Sequence, residues 1–422
     1  MVTRPLGKRS TDLRSNSLLV GIALAAVSVF SCATSSPAES GSATSTGVRS
    51  TSGETASAER ATPASAEVLP SASAKAAREA AAHRYADLVN DLSEPDTYFF
   101  SDNLISNETS YLQIGDELEK LSDPTSVYVG VGPEQNFTYI ALSRPSTAFI
   151  VDIRRANMLL HLLYRAAFEE AQSRSHFAAL LLGRAHDTAN TNAANATIDQ
   201  VLESANKGEA TPETFKAADA LLMKRVKGYG VKLSADDEKS IEKMHKTFFE
   251  EQLGIRFELH EKNGRAYPTL RELLKTESPS GKTVGFLAKE DSFRFLQEMQ
   301  RAGKIVPIVG DFAGDHALAQ LASYLKGESR KVGVFYVSNV EQYLLEPKIW
   351  KKWVRNVKEL PKTEQALFLR GYLDQGKKHP KQMKGQRTAT VLSKISDFET
   401  RFGDKPTATF YALSTEDLVA PR

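Results

Sequence analysis

The chain has 422 residues, 41% hydrophobic and 25% charged, which is ordinary globular composition. A formal net charge of +2 gives no ground for a nucleic-acid or a strongly acidic partner. Cys32 is the single cysteine, so neither an internal disulfide nor a cysteine-built zinc site is possible.

Residues 1–32 read as a targeting segment. Arg4, Lys8, Arg9 and Arg14 make a basic start, and Ser17 to Phe30 is apolar and small, too short for a stable membrane span. The segment ends Val29-Phe30-Ser31-Cys32. This resembles the bacterial lipoprotein signal, in which the cysteine is lipidated and becomes the new N-terminus. The resemblance implies a lipid anchor at Cys32 and, with Ala33 rather than Asp after it, sorting to the outer membrane. Phe30 is bulkier than usual at its position. Two other readings stay open: a secretory signal cleaved after Ala33, and a cytoplasmic protein with a mis-assigned start. Residues 33–75 are mostly Ser, Ala, Thr, Gly, Glu and Pro, with almost nothing large and apolar and no aromatic residue. Such a stretch buries too little surface to offset its ordering entropy, so it reads as a disordered tether. Folded protein is expected over 76–422.

Ala76 to Leu92 is helix-prone, Glu94 to Glu108 is loop-like with aromatics, and Ser110 to Leu121 suits another helix. Val127 to Val131 reads as a first strand, followed by a glycine turn, a short helix over Asn136 to Leu142 and a second strand over Ala148 to Ile153. Both strands are apolar without alternation, as in a parallel sheet covered on both faces. Arg155 to Ala171 is a helix apolar on most sides, which belongs under other elements. From 172 to 303 the signals are helical: His176 to Leu182, Pro212 to Lys227, a helix from Ser234 with Asp237 completing a capping box, and Ser292 to Arg301. This reads as a helical insertion, a lid or a partner surface. Alternation resumes with a strand at Ile305 to Val309, a helix at His316 to Leu325, a strand at Val332 to Val337 and a helix at Pro347 to Val357. Thr388 to Leu392 and Thr407 to Leu413 are expected as further strands. The expected fold class is α/β: a mostly parallel, Rossmann-like sheet flanked by helices, with the insertion after the second strand.

The candidate site residues sit at strand ends. Gly130 and Gly132 shape the turn Gly-Val-Gly-Pro-Glu-Gln, where a ligand can approach the backbone closely. A dinucleotide fingerprint needs Gly or Ala where Gln135 stands, which disfavours NAD and FAD. Asp152 ends the second strand and can accept hydrogen bonds from ribose hydroxyls, or else cap the next helix or pair with Arg154 and Arg155. Asp311 and Phe312 follow the third strand, Ser338 and Asn339 the fourth; both pairs also read as plain turn chemistry. Asn107 and Glu108 can close over a ligand or cap the helix before Tyr111. His161, on an apolar helix, reads as a satisfied core or rim histidine. Asp311, Asp315 and His316 fit no strong metal spacing, and no metal ligand set is assigned. Lys377, Lys378, Lys381, Lys384 and Arg387 read as a solvated basic loop around His379.

The glycine turn more closely resembles the first motif of class I S-adenosylmethionine-dependent methyltransferases. That family has an acid and a third glycine where this chain has Tyr128 and Glu134. Several segments together (SDNLISNETSYL, VGVGPEQNFTYIA, FIVDIRR, IVPIVGDFAG and FYVSNVEQYL) resemble an uncharacterised bacterial family, often with lipoprotein-type signals, whose folded part is methyltransferase-like. The resemblance implies that Gly130, Gly132, Glu134, Asn136, Asp152, Asp311 and Phe312 face a cofactor, S-adenosylmethionine if any, and that Asn107, Glu108, Ser338 and Asn339 face a substrate. The methyl donor is cytoplasmic, whereas the N-terminus reads as an export signal. The expectation is therefore an envelope lipoprotein that binds a small molecule or a protein at the carboxyl edge of its sheet. The alternative is an S-adenosylmethionine-dependent methyltransferase. A structural lipoprotein with a filled cleft is the third reading, marked by Tyr128, Phe137 or Phe312 occupying the groove.

Overall fold

The computed structural model describes residues 83–121, 123–186, 194–260, 265–374, 376–403 and 409–419. The targeting segment with Cys32, the tether and the first residues of the expected helix at 76 lie outside the described residues. The strands are β1 (Val127–Gly130), β2 (Thr147–Asp152), β3 (Ile305–Val309), β4 (Val332–Ser338), β5 (Lys362–Leu373) and β6 (Thr388–Lys394). They form one sheet in the order β3-β2-β1-β4-β5-β6. Every pairing is parallel except β5 with β6. Every residue of β1, β2 and β3 is buried, which explains their unalternating apolar sequences. Pro307 is tolerated within β3 because β3 is an edge strand, where one row of backbone groups needs no ladder partner.

Helices flank the sheet. In chain order they begin with α1 (residues 83–92), α2 (Gly115–Lys120), α3 (Gln135–Ser143) and α4 (Arg155–Glu170). Between β2 and β3 the chain continues through α5 (Arg174–Leu181), α6 (Ile198–Lys207), α7 (Pro212–Lys227), α8 (Ala235–Glu251), α9 (Leu270–Leu274) and α10 (Glu290–Arg301). The remaining helices are α11 (Ala317–Gly327), α12 (Pro347–Glu359), α13 (Ile395–Phe402) and α14 (Phe410–Thr415). Helix α4 packs on β2 and β3 and also against α5, α7, α8 and α10, so its apolar residues are needed on nearly every side. Ser234 caps α8 through the expected box with Asp237, and Pro212 opens α7.

The structure corrects three parts of the sequence reading. Thr407 to Leu413 does not add a strand: Thr409 caps α14, accepting a hydrogen bond from the Ala412 N–H at 3.1 Å, while 404–408 lie outside the described residues. Phe410 and Leu413, three apart and both buried, show the helical spacing that the β-prone composition hid. Strand β5 went unrecognised because it opens with exposed Glu364 and Gln365 and carries Gly371 within it. Helices α6, α9 and α13 also escaped the reading, although Thr197 and Thr269 open the first two with capping boxes.

Candidate functional site at the carboxyl edge of the sheet

Residues 93–110 form a strap that visits the six strands in their spatial order along one edge. The Glu94 N–H donates to the Val309 carbonyl at the end of β3 (3.0 Å), and the Thr97 N–H to the Ile153 carbonyl beyond β2 (3.1 Å). The Ser106 N–H donates to both oxygens of Glu134, beyond β1, at 3.1 Å. Tyr336 and Ser338 of β4 reach Glu108, whose carboxylate also lies against Gly371 of β5. The Ser110 N–H donates to the Thr388 hydroxyl at the start of β6 (3.0 Å). The parallel strands all end on this edge, so their terminal polar groups need partners, and the strap supplies them.

Glu108 is the centre of the arrangement and is 1% exposed. Its carboxylate accepts from the Tyr336 hydroxyl at 2.8 Å, the Ser338 hydroxyl at 2.5 Å and the Gln135 amide at 3.2 Å. No ion pair holds it among the described residues. Burial raises its pKa above the ordinary carboxyl range, against the opposing effect of the three donors. Gln135, which breaks the dinucleotide fingerprint, proves to be the hub. Its amide also contacts the Tyr139 and Tyr336 hydroxyls at 2.9 and 3.1 Å, and its carbonyl accepts from the Ser106 hydroxyl. The network lies between β1 and β4, where the strand order reverses direction. Sequence reasoning missed Ser106, Gln135, Tyr139 and Tyr336. A hydroxyl inside the apolar run of β4 was the available signal for Tyr336.

The glycine turn is held from within. Asn136 is fully buried; its amide donates to the carbonyls of Val131, Gly132 and Pro133 at 2.9–3.0 Å, and its carbonyl accepts from the Tyr128 hydroxyl at 2.9 Å. A Cβ on Gly130 would lie 2.0 Å from the Asn136 Oδ1 and 2.7 Å from the Tyr128 ring. Gly130 is therefore required by the chain's own side chains. Gly132, with φ +80°, has open space where a Cβ would stand. His161 donates from Nε2 to the Gly132 carbonyl at 2.9 Å, and burial pushes its pKa down to about 4, so it is neutral at physiological pH. It is the core histidine that the sequence suggested, but only half satisfied, since its buried Nδ1 has no hydrogen-bond partner among the described residues. Glu134 is 4% exposed, and burial pushes its carboxyl up to about 7.

The other expected residues are engaged separately. Asp152 accepts from the Arg154 backbone N–H at 2.9 Å and pairs with the Arg154 guanidinium at 3.1 Å, both residues being buried. Arg154 in turn donates to the Asp102 carbonyl of the strap at 2.6 Å. Asp311 closes its own turn by accepting from the Ala313 N–H at 2.9 Å, while its N–H donates to Glu94 at 2.6 Å. Phe312 is 3% exposed and stacks 5.4 Å from Trp353, so its ring face is taken by α12. Phe137 is buried in an aromatic cluster with His161, Tyr164, Phe168 and Phe286. Ser338 holds φ +50°, a costly conformation for a non-glycine residue, and uses it to aim its hydroxyl at Glu108. Asn339 and Asn107 are half-buried beside it in sequence and beside Glu108 respectively; neither Asn107 nor Glu108 caps the turn at Tyr111. Asp315 pairs with Lys352 and Arg355, and the ring of His316 contacts the Asp91 carbonyl, so the two point to different partners. The basic loop is exposed at Lys377, Lys378, Lys381, Lys384 and Arg387, and His379 anchors it through the Ser414 carbonyl at 2.7 Å.

Fold and site together define a mixed α/β protein with one mostly parallel sheet whose carboxyl edge is closed by its own chain. Residues 104–419 match the family described as "Domain of unknown function (DUF7790)", and the chain belongs to that family. No curated protein matches it. Among the described residues, no helix is long and apolar enough to cross a membrane.

Proposed function

We propose that this is a Rossmann-like, methyltransferase-like domain tethered to the bacterial envelope by lipidation of Cys32. It binds a small ligand or a protein partner at the carboxyl edge of its sheet and does not transfer methyl groups. The observation that carries this reading is the Glu108 network. In open α/β sheets ligands bind outside the carboxyl ends of the strands, where the strand order reverses. Here Glu108, Gln135, Tyr336 and Ser338 occupy that place and satisfy one another. Asp152, the expected ribose acceptor, is committed to Arg154. The 172–303 stretch is then an insertion that enlarges the surface offered to a partner. Export fits as well, because the methyl donor belongs to the cytoplasm.

A calorimetric titration of the full chain with S-adenosylmethionine and S-adenosylhomocysteine tests this, and no heat of binding is expected. Micromolar binding by the wild type would overturn the reading in favour of a methyltransferase. One observation favours that second reading: the backbone at Gly132 faces open space, as a cofactor turn must. Binding seen only in Glu108→Ala would make the strap a lid over a working cofactor site. The anchor is tested separately, since Cys32→Ser should leave the membrane fraction and lose incorporated lipid.

A further inference from the structure

The segments between β2 and β3 border a pocket of about 320 Å³ that is open to solvent, lined by Arg184, Asn206, Gln252, Leu253, Thr269 and Arg271 together with the backbone of Gly254. None of its lining residues belongs to the strap or to the network around Glu108. The volume falls at the lower end of small-molecule sites, which run from ~300 Å³ upward.

Two cations face this cavity and no carboxylate lines it. Arg184 follows α5. Its Nε donates to the Gly208 carbonyl at 3.2 Å, its Nη2 to the Asn206 carbonyl at 2.8 Å and its Nη1 to the Gln252 carbonyl oxygen at 2.7 Å. All three acceptors are neutral. A guanidinium has five N–H groups, so two remain after these bonds. Its partial burial, with no acid beside it, lowers its pKa from the usual arginine value. Part of its role is structural, since two of its acceptors lie at the C-terminal end of α6. That role leaves the charge uncompensated. Arg271, in the short helix α9, makes no side-chain hydrogen bond or ion pair among the described residues.

Gln252 supplies a further observation. It holds φ +54° and ψ −145°, a region non-glycine residues avoid and keep only where the surroundings impose it. Its amide donates to the Leu182 carbonyl at 3.0 Å and to the Phe249 carbonyl, which fixes its oxygen against Arg184. A strained residue thus orients a cation at the rim of the cavity.

We propose that this cavity is a binding site for a small organic oxyanion, a phosphate or a carboxylate, held between Arg184 and Arg271 with its carbon body against Leu253. A guanidinium matches both groups through paired N–H donors. The site stands apart from the carboxyl edge, and it holds whether or not that edge binds anything.

The test is calorimetry on the full chain with inorganic phosphate, glycerol 3-phosphate and citrate, beside Arg271→Gln. Because the Arg271 side chain makes no hydrogen bond or ion pair among the described residues, the variant should melt with the wild type. At least one probe should bind the wild type, weaken with added salt, and bind Arg271→Gln about tenfold more weakly, the size of one lost charge-assisted hydrogen bond. Co-sedimentation with vesicles containing phosphatidylglycerol separates the sources. Arg271-dependent vesicle binding without soluble binding places the phosphate on a lipid headgroup, and soluble binding makes it free. Absence of binding in both formats, or equal binding by wild type and Arg271→Gln, overturns the proposal.

Discussion

The Tyr336 hydroxyl of β4 donates to the Glu108 carboxylate at 2.8 Å, joining residues 228 positions apart in sequence. This bond ties the strap to the sheet at the place where the strand order reverses. It also shows how a buried acid persists without a cation: hydroxyls and an amide replace the water it lost.

Tyr336→Phe removes one of those donors and little volume. It should destabilise the fold by about 1–3 kcal/mol, as for a buried group left short of a partner. The Tyr336 bond favours the charged form of Glu108. The loss should therefore be larger at pH 8 than at pH 4, where the carboxyl takes up a proton. Urea unfolding at the two pH values checks this, and equal losses would show that Glu108 is not the group affected.

Glu134 sets a pH dependence of its own. Its folded carboxyl titrates at about 7 against 4.5 for the free group. A raised carboxyl stabilises the fold fully below 4.5, and that contribution is lost as pH rises toward 7. The full swing is about 3 kcal/mol. Glu134→Gln removes it, so the variant should gain in thermal midpoint relative to wild type between pH 5 and pH 8. A constant difference across that range would contradict the assignment.

Asp152→Ala should cost about 3–5 kcal/mol, because it strands the buried Arg154 guanidinium. Arg154→Met in the same background should recover part of the loss, since the double variant leaves no unpaired charge. A double-mutant cycle measures the coupling. If the two losses simply add, the pair contributes nothing jointly.

Gly130→Ala should cost about 2 kcal/mol or more, as its Cβ would overlap the Asn136 oxygen and the Tyr128 ring. Gly132→Ala should cost less: its Cβ meets open space, leaving only the strain of φ +80°. Chemical denaturation of the two variants side by side ranks them, and the reverse order would mean that the turn is not packed as described.

Much of the architecture was legible from local pattern. The unbroken apolar runs of β1, β2 and β3 and the breadth of the apolar face on α4 follow from short-range periodicity. So does the capping box that Ser234 opens with Asp237. Where a strand began with exposed charge, as in β5, the pattern was lost. The C-terminal stretch misled because its β-prone composition outweighed the spacing of Phe410 and Leu413.

The sequence by itself determined that glycine turns and polar residues would meet at the ends of parallel strands, because each of those features is set within a few residues. Only the tertiary structure decided what those residues do for one another. Asp152 had equal local reasons to face a ribose or Arg154, and the crossing of the strap at Asp102 helped to commit it to Arg154. The Glu108 carboxylate had no local partner; its three donors come from positions 135, 336 and 338. Contacts of that separation depend on how strands are ordered in the sheet, and strand order is not written in the period of any one segment.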